Sequence, residues 1–157
     1  LPEFLSLFPR TKFKMIGSGF LEKDVKSFIH KNKLSNRVLL MGHVPHKEVL
    51  RQTSKASLVL VPSIWPEPLP RSAIESVLSG APVSATNVGG INEVLQDGKY
   101  GLISNPEKAD YLNKTITAYK KREIVKKRIT KDLDKLKKHF SKESVESYLK
   151  IYTALTQ

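Results

Sequence analysis

The chain has 157 residues, of which 27 are Lys or Arg and 15 are Asp or Glu, and it contains no cysteine. This length is enough for one domain that buries roughly 70% of its unfolded surface. The lack of cysteine excludes disulfide scaffolds, thiol nucleophiles and thiolate zinc sites. No apolar run approaches the ~20 residues that span a bilayer. The formal charge of +12 leaves a polyanionic partner open, because a basic surface attracts polyanions at long range.

Short apolar runs alternate with helical patterns through the first 105 residues. Runs of this length, bounded by breakers, are typical of buried parallel strands. They cover residues 12–16, 38–41, 58–61, 82–85 and 101–103. Apolar residues at helical spacing lie between them, such as Val25 with Ile29 and Ile74 with Val77. This order predicts a Rossmann-like α/β fold, in which helices flank a parallel sheet with right-handed crossovers. Residues 1–8 look like the end of a helix, so we expect a first strand to be missing.

Beyond residue 105 the strands stop and the apolar residues follow helical spacing. These residues are Tyr111, Ile116, Tyr119, Ile124, Ile129, Leu133, Leu136 and Phe140, then Val145, Tyr148 and Leu149. Ser141 and Ser144 offer capping groups for a last helix. Residues 108–150 hold 14 Lys or Arg against six Asp or Glu, and therefore most of the net charge. We divide the chain into an α/β core, residues 1–105, and a basic helical segment of the same domain, residues 106–157.

The loops after the apolar runs are the candidate site, because ligands bind beyond the carboxyl ends of the strands in such sheets. Gly17 and Gly19 open a G-x-G pattern, but Glu22 stands where a dinucleotide-binding motif needs its third glycine. A carboxylate at that position opposes a pyrophosphate, and the chain has no P-loop motif either. Gly19 alone is also consistent with an ordinary tight turn.

The loop at residues 62–70 carries the clearest chemistry. It contains four prolines and Glu67, and Glu75 follows in the first turn of a predicted helix. A carboxylate can accept both hydroxyls of a vicinal diol, and a helix N-terminus offers N–H groups to a phosphate. The residues alone leave alternatives open. Ser72 and Glu75 also fit a capping box, and Glu67 also fits an exposed loop carboxylate.

Glu67 and Glu75 form an E-x7-E motif, which is followed by Gly-Ala-Pro-Val at residues 80–83 and Val-Gly-Gly-Ile-Asn-Glu-Val at residues 88–94. Residues 56–95 thereby resemble the nucleotide-sugar-binding domain of retaining GT-B glycosyltransferases of the GT4 type. The resemblance extends more weakly over residues 12–105. It implies one half of a GT-B fold and transfer of a hexose, with retention, from a UDP-, GDP- or ADP-sugar to an acceptor hydroxyl. It implies neither a metal nor another cofactor.

The resemblance also implies roles for individual residues. Glu75 corresponds to the glutamate that binds the donor ribose. Glu67 corresponds to the one that lies against the transferred sugar, where it is the candidate catalytic residue. The other implied donor-binding residues are Leu69, Arg71 and Ser72 for the diphosphate, Val44 and His46 for the base, and Gly17 and Gly19. His43 and His46 are also consistent with solvated loop histidines.

Two departures from the family pattern affect these expectations. Pro70 stands within the family's aromatic-Gly-Leu element and has no N–H to donate. We expect the guanidinium of Arg71 to replace that contact, because it forms forked hydrogen bonds to phosphate. No G-R-x-x-x-x-K loop precedes Phe13. The chain is therefore expected to be the C-terminal half of an enzyme whose N-terminal domain binds the sugar, polysaccharide or lipid-linked acceptor, and to be inactive alone.

The basic tail leaves further interpretations open. A nucleic-acid-binding module would use its lysines, but no stacking aromatics recur at a regular interval, so nucleic acid is the weaker partner. An anionic membrane surface is the other partner, because basic clusters are attracted to it. An epimerase or phosphorylase on a GT-B-like scaffold is the enzymatic alternative, since fold does not fix reaction. The expected location is cytoplasmic, with peripheral attachment to a membrane as a variant.

Overall fold

The computed structural model describes residues 1–141, and these residues form five strands and six helices in alternating order. The strands are β1 (Phe13–Met15), β2 (Val38–Leu40), β3 (Val59–Val61), β4 (Val83–Thr86) and β5 (Gly101–Ser104). The helices are α1 (Pro2–Leu7), α2 (Glu22–Lys31), α3 (His46–Ser54), α4 (Arg71–Leu78), α5 (Ile91–Leu95) and α6 (Lys108–His139). Each predicted strand is confirmed within one or two residues, and every described strand pair is parallel. The α/β prediction is therefore confirmed.

The chain divides into two compact units, Leu1–Arg51 and Gln52–Gln157. In the first unit β1 pairs with β2, with Phe13 opposite Val38. Its buried apolar side chains are Phe4, Leu5, Ile29, Leu34 and Val38. The division proposed at residue 105 from the sequence stays a prediction.

Arg37 ties the end of α1 into this first unit. Its guanidinium donates to the carbonyl oxygens of Leu5 at 2.9 Å and Phe8 at 2.7 Å. It also donates to the carbonyl of Thr11 through two nitrogens, at 3.1 Å and 2.8 Å. A planar guanidinium can serve several acceptors at once. Arg37 therefore satisfies backbone carbonyls that the end of a short helix leaves open.

The second unit contains the larger core. Its sheet has the order β3-β4-β5, and all four residues of the central strand β4 are buried. Side chains from α4, α5, α6 and the three strands form one cluster, in which Val77, Val83, Ile91 and Ile129 are completely buried. The sequence does not predict α5, which is only five residues long.

Helix α6 is 32 residues long and packs one face against the second unit, with buried residues from Thr115 to Leu136. Its buried residues are Thr115, Ala118, Val125, Ile129 and Leu136. The predicted apolar face was partly wrong, because Ile124 is 56% exposed whereas its neighbour Val125 is 7% exposed. The contact follows spacings of three, four and seven residues, so small or polar side chains occupy positions that a search for large apolar residues misses. The predicted last helix, with Ser144, lies outside the described residues.

Buried polar contacts hold the N-terminal part of α6 against β4. The hydroxyls of Ser84 and Thr115 are 2.9 Å apart, and the Tyr111 hydroxyl donates to the Ser84 carbonyl at 3.3 Å. Burial raises the pKa of Tyr111 to about 12, because it disfavours the phenolate. These hydrogen bonds explain why a serine and a threonine are tolerated in the core.

An ion pair fastens the middle of α6 to the turn before β5. The Lys99 ammonium lies 2.6 Å from the Asp132 carboxylate, and the buried Tyr100 hydroxyl donates to the same carboxylate at 3.0 Å. The hydrogen bond from Lys99 lowers the pKa of Asp132, and the hydrogen bond to Asp132 raises the pKa of Lys99. Among residues 1–141, no helix has an apolar stretch long enough to cross a bilayer.

Candidate functional site

In the first unit, the loops that follow β1 and β2 lie side by side. The Gly17 N–H donates to the Gly42 carbonyl at 2.8 Å. Both glycines have positive φ, 123° and 64°, which side-chain-bearing residues rarely adopt. The structure thus brings the predicted Gly17 and Gly19 loop beside the start of the loop that contains Val44. His46 is the first residue of α3.

A pocket of about 240 Å³ opens between these loops and α2. Its lining includes Ile16, Gly17, Gly19, Leu40 and Gly42. Gly19 itself forms a turn into α2, in which its carbonyl accepts from the Glu22 N–H at 3.0 Å. Its φ is not in the positive region, and a Cβ there meets open space. Gly19 therefore lies in a turn that does not require a glycine, whereas Gly17 has a conformational need for glycine.

In the second unit, the carboxylate of Glu67 is held at the carboxyl end of β3. The Ser63 hydroxyl donates to Glu67 Oε1 at 3.0 Å. The buried Thr86 hydroxyl, at the end of β4, donates to the Ser63 carbonyl. Glu67 itself is exposed. The two neighbouring strands therefore position an accessible carboxylate through a chain of two hydrogen bonds.

The Gly89-Gly90 pair lets the loop after β4 run against the backbone of the Glu67 loop. The Gly90 N–H donates to the Glu67 carbonyl at 2.9 Å. A Cβ on Gly89 would lie 2.7 Å from the Glu67 nitrogen and 2.8 Å from its carbonyl carbon, and one on Gly90 would overlap the Pro68 carbonyl. Backbone atoms cannot yield cheaply to such contacts. The two glycines thus allow the two loops to lie in backbone contact, and this contact holds the Glu67 backbone in place.

Helix α4 begins at Arg71, and Pro70 occupies its N-cap position. The Pro70 carbonyl accepts from the N–H groups of Ala73 and Ile74. Within residues 1–141, the N–H groups of Arg71 and Ser72 have no hydrogen-bond partner. These two donors and the positive end of the helix dipole point into solvent beyond the sheet, where an anion would be stabilised.

The side chains of Arg71 and Glu75 form an ion pair at 3.4 Å. Arg71 is 82% exposed at its side chain, and Glu75 is 24% exposed. Glu75 is the fifth residue of α4, one turn beyond the first turn in which we expected it. The capping-box alternative was wrong, because the N-cap is Pro70 rather than Ser72 and no side chain caps this end. Arg71 and Glu75 are instead paired at the i, i+4 spacing of neighbours on one helix face.

The sequence did not predict the contacts that position Glu67. Ser63, Thr86 and the close approach at Gly89 and Gly90 position Glu67, and none was assigned that role. Only Ser63 has a local signal, because it lies four residues before the glutamate in the same loop. In the described part of the chain, no group of three or more His, Asp or Glu side chains is arranged to hold a metal ion.

The parallel α/β fold, with the candidate site loops at the carboxyl ends of its strands, matches one half of a GT-B glycosyltransferase. An Anabaena protein, HepE, solved in complex with UDP, superposes with a TM-score of 0.79 at 24% identity, over 98% of this chain and 44% of that one. Staphylococcus aureus TarM superposes with a TM-score of 0.78 at 22% identity, over 96% of this chain and 31% of that one.

The family model of the glycosyl transferases group 1 matches residues 2–139, and the chain belongs to this family. An uncharacterized glycosyltransferase of Methanocaldococcus jannaschii is 33% identical over 145 residues, which are 92% of this chain and 41% of that protein. A glycogen synthase of Mycobacterium tuberculosis is 24% identical over 142 residues, with 85% and 34% covered. The chain thus spans less than half the length of these relatives.

Proposed function

We propose that the chain is the donor-binding part of a retaining glycosyltransferase, which moves a hexose from a nucleoside diphosphate sugar to an acceptor hydroxyl. One observation carries this proposal. An accessible, hydrogen-bonded carboxylate, Glu67, lies in the same loop that leads into the open N–H groups of Arg71 and Ser72. A sugar diphosphate needs both an acceptor for its hydroxyls and donors for its phosphates. Family membership supports it, and so does HepE, which was solved with UDP-glucose.

The diphosphate is proposed to sit at the start of α4, on the backbone N–H groups of Leu69, Arg71 and Ser72. Pro70 interrupts this row of donors because it has no N–H. The Arg71 side chain compensates for the gap, since its guanidinium is exposed and can reach an approaching ligand. Glu75 then accepts the hydroxyls of the ribose. Binding therefore requires Arg71 to leave Glu75, and the donor replaces an ion pair by two separate polar contacts.

Catalysis in this proposal is electrostatic. The bond between the anomeric carbon and the diphosphate oxygen breaks, and its electron pair stays on the diphosphate, while the acceptor oxygen bonds to the anomeric carbon and its proton passes to the released diphosphate. The N-terminal end of α4 and Arg71 stabilise that developing negative charge, because oriented donors need not reorganise during the reaction. Glu67, fixed by Ser63, stabilises the positive charge that develops on the sugar. In the first unit, Gly17, Gly19, Val44 and His46 are proposed to contact the nucleoside of the donor.

Acceptor binding and turnover are proposed to need a further domain. The chain aligns with 41% of the M. jannaschii relative and 34% of the glycogen synthase. We expect the 157-residue chain by itself to bind the donor weakly and to show no transfer. The candidate donors to compare are UDP-, GDP- and ADP-hexoses. The proposed location of the protein is cytoplasmic, which is compatible with each of these donors.

A thermal-shift titration of the 157-residue chain with UDP, GDP, ADP and their hexose conjugates tests this proposal. A ligand at 100 times its Kd stabilises the folded state by roughly 2.7 kcal/mol. For a chain of this size that raises Tm by about 5–10 °C. One base is expected to give this response at the lowest concentration.

Glu75→Gln supplies the contrast, and Glu123→Gln is its matched control, because Glu123 is an exposed α6 carboxylate far along the chain. Glu75→Gln is expected to weaken binding of the nucleoside diphosphate, whereas Glu123→Gln leaves it unchanged. A flat response to every nucleotide would refute the donor-site proposal. Equal losses in both variants would remove Glu75 from the site.

A further inference from the structure

A row of four lysines runs along the side of α6 that faces away from the sheet. We call Lys120, Lys127, Lys131 and Lys135 the lysine stripe, and all four are exposed. Lys120, Lys127 and Lys131 each follow a buried residue of α6 by two positions, which places them roughly 200° around the helix from it. The buried residues are Ala118, Val125 and Ile129. Lys120, Lys127 and Lys131 therefore lie opposite the core, Lys135 lies beside them at about 100° from buried Leu136, and the four span about 22 Å of helix.

Neighbouring carboxylates do not pair with the four stripe lysines. Asp132 is paired with Lys99 on the side of α6 that meets β5. Glu123 and Asp134 border the stripe, and they lie 3.5 Å from Arg122 and 3.8 Å from Lys137, respectively. Among the ion pairs within residues 1–141, none includes a stripe lysine. Several further cations flank the stripe, including Lys121, Arg128 and Lys138. The outer face of α6 thus carries a net positive charge on a helix that is already fixed on its inner side.

We propose that this outer face of α6 docks on an anionic lipid surface. The stripe lies on a convex helix surface and consists of ammonium groups. Each ammonium is a point charge on a flexible stem, so it can pair with lipid headgroups that have no fixed arrangement. Ile124 lies within the stripe and is 56% exposed. An apolar side chain among lysines can enter the boundary between headgroups and acyl chains, while the flexible lysine stems keep their charges at the headgroups. Ile124 lies among these lysines because the buried face of α6 includes its neighbour Val125 instead.

A nucleic acid fits this surface less well. Single strands are bound by aromatic rings that stack on the bases, and α6 presents no exposed Phe, Tyr or Trp ring among its described residues. The ring of Tyr119 is covered instead by the guanidinium of Arg122, which lies 4.2 Å from the ring centroid. Nor does a solvent-exposed isoleucine contribute to phosphate contacts. The chemistry of the face therefore favours lipid.

Vesicle co-sedimentation of the 157-residue chain tests the proposal. The chain is expected to bind vesicles of phosphatidylcholine mixed with phosphatidylglycerol and to ignore vesicles of phosphatidylcholine alone. Each lysine near an anionic surface contributes about five-fold in partitioning. The fourfold variant Lys120→Gln, Lys127→Gln, Lys131→Gln, Lys135→Gln is therefore expected to bind roughly 100- to 1,000-fold more weakly.

A matched control removes the same charge elsewhere. Lys23, Lys31, Lys33 and Lys55 are exposed and lie outside α6. Their fourfold change to Gln is expected to weaken vesicle binding by less than about ten-fold, because only long-range attraction is lost. Ile124→Asn tests the apolar contact separately, with an expected loss of a few-fold at unchanged salt dependence. Thermal melts of all variants establish that each one folds.

Three results would overturn the proposal. The first is no preference of the wild-type chain for phosphatidylglycerol vesicles. The second is an equal loss of binding in the stripe variant and its control, which would reduce the effect to net charge. The third comes from a parallel titration with duplex DNA and single-stranded RNA at the same salt concentration. Tighter binding of either one, lost in the stripe variant, would assign the face to nucleic acid.

Discussion

Replacing Gly89 by alanine should displace the loop that carries Glu67. The loss in free energy of unfolding has two components, which can be measured separately. Gly89 has a φ of 54°, and a Cβ there would meet the Glu67 backbone at 2.7 Å and closer. A left-handed conformation costs a non-glycine residue about 1–2 kcal/mol. Forcing an extra carbon into a packed contact costs about 1–3 kcal/mol more. Gly89→Ala is therefore expected to lower the free energy of unfolding by about 2–5 kcal/mol and Tm by roughly 5–15 °C.

Two other glycines of the same unit isolate the two components. Gly80 has a φ of 81°, but a Cβ there meets nothing within 4 Å, so Gly80→Ala carries the backbone cost alone. Gly90 has a φ of −80° and would overlap the Pro68 carbonyl, so Gly90→Ala carries the steric cost alone. Urea unfolding of the three variants should show Gly89→Ala as the least stable, at about the sum of the other two.

Nucleotide titrations of the same variants connect the loop to the donor site. Gly89→Ala and Gly90→Ala displace the Glu67 loop and should weaken donor binding, whereas Gly80→Ala should leave it unchanged at a temperature where all three are folded. Wild-type stability in Gly90→Ala would refute the reasoning, because it would mean that the two loops do not lie in contact.

Three further predictions follow from the contacts of α6 and α4. Ile129→Ala is expected to cost about 2–5 kcal/mol because Ile129 is completely buried, whereas Ile124→Ala should stay within about 0.5 kcal/mol; equal losses in urea unfolding would contradict the orientation of α6. Asp132→Asn should lower Tm at neutral pH, and the difference from the wild type should shrink as pH falls through the lowered pKa of Asp132, because protonation then breaks the wild-type pair with Lys99; a difference that persists below that pKa would exclude the ion pair as its cause. Arg71→Ala should weaken nucleoside diphosphate binding more than nucleoside binding in calorimetric titrations, and equal losses for both ligands would count against its phosphate contact.

The strands of this fold were predictable because each lies in a short run bounded by breakers. Parallel strands need no alternation of apolar and polar residues, so an apolar run can be read directly as a strand, as for Val59–Val61. The face of α6 was not predictable in the same way. Thr115 and Ala118 are buried whereas Ile124 is exposed, and the burial of Thr115 depends on Ser84 of the sheet, whose hydroxyl pairs with it. That complementarity exists only in three dimensions.

The residues of the candidate site show the same contrast between what the sequence predicts and what only the structure shows. Glu67 and Glu75 were found through their spacing in one motif. The contact that positions Glu67 links residues far apart in sequence, since Thr86 reaches the Ser63 carbonyl across two strands. The pairing of Arg71 with Glu75 also had a local signal, because the two residues are four apart on one helix. Contacts within an element could thus be anticipated, and contacts between loops required the structure.

The small core of the first unit has a consequence for amide hydrogen exchange. Only a few side chains are buried there, and the Arg37 guanidinium supplies contacts that an apolar core supplies in the second unit. Segments with few buried apolar groups open at a lower free energy than the rest of a protein. Amides of β1 and β2 are therefore expected to exchange faster than those of β4. If Val44 and His46 bind the donor as proposed, the donor is expected to slow that exchange, because it stabilises the folded state.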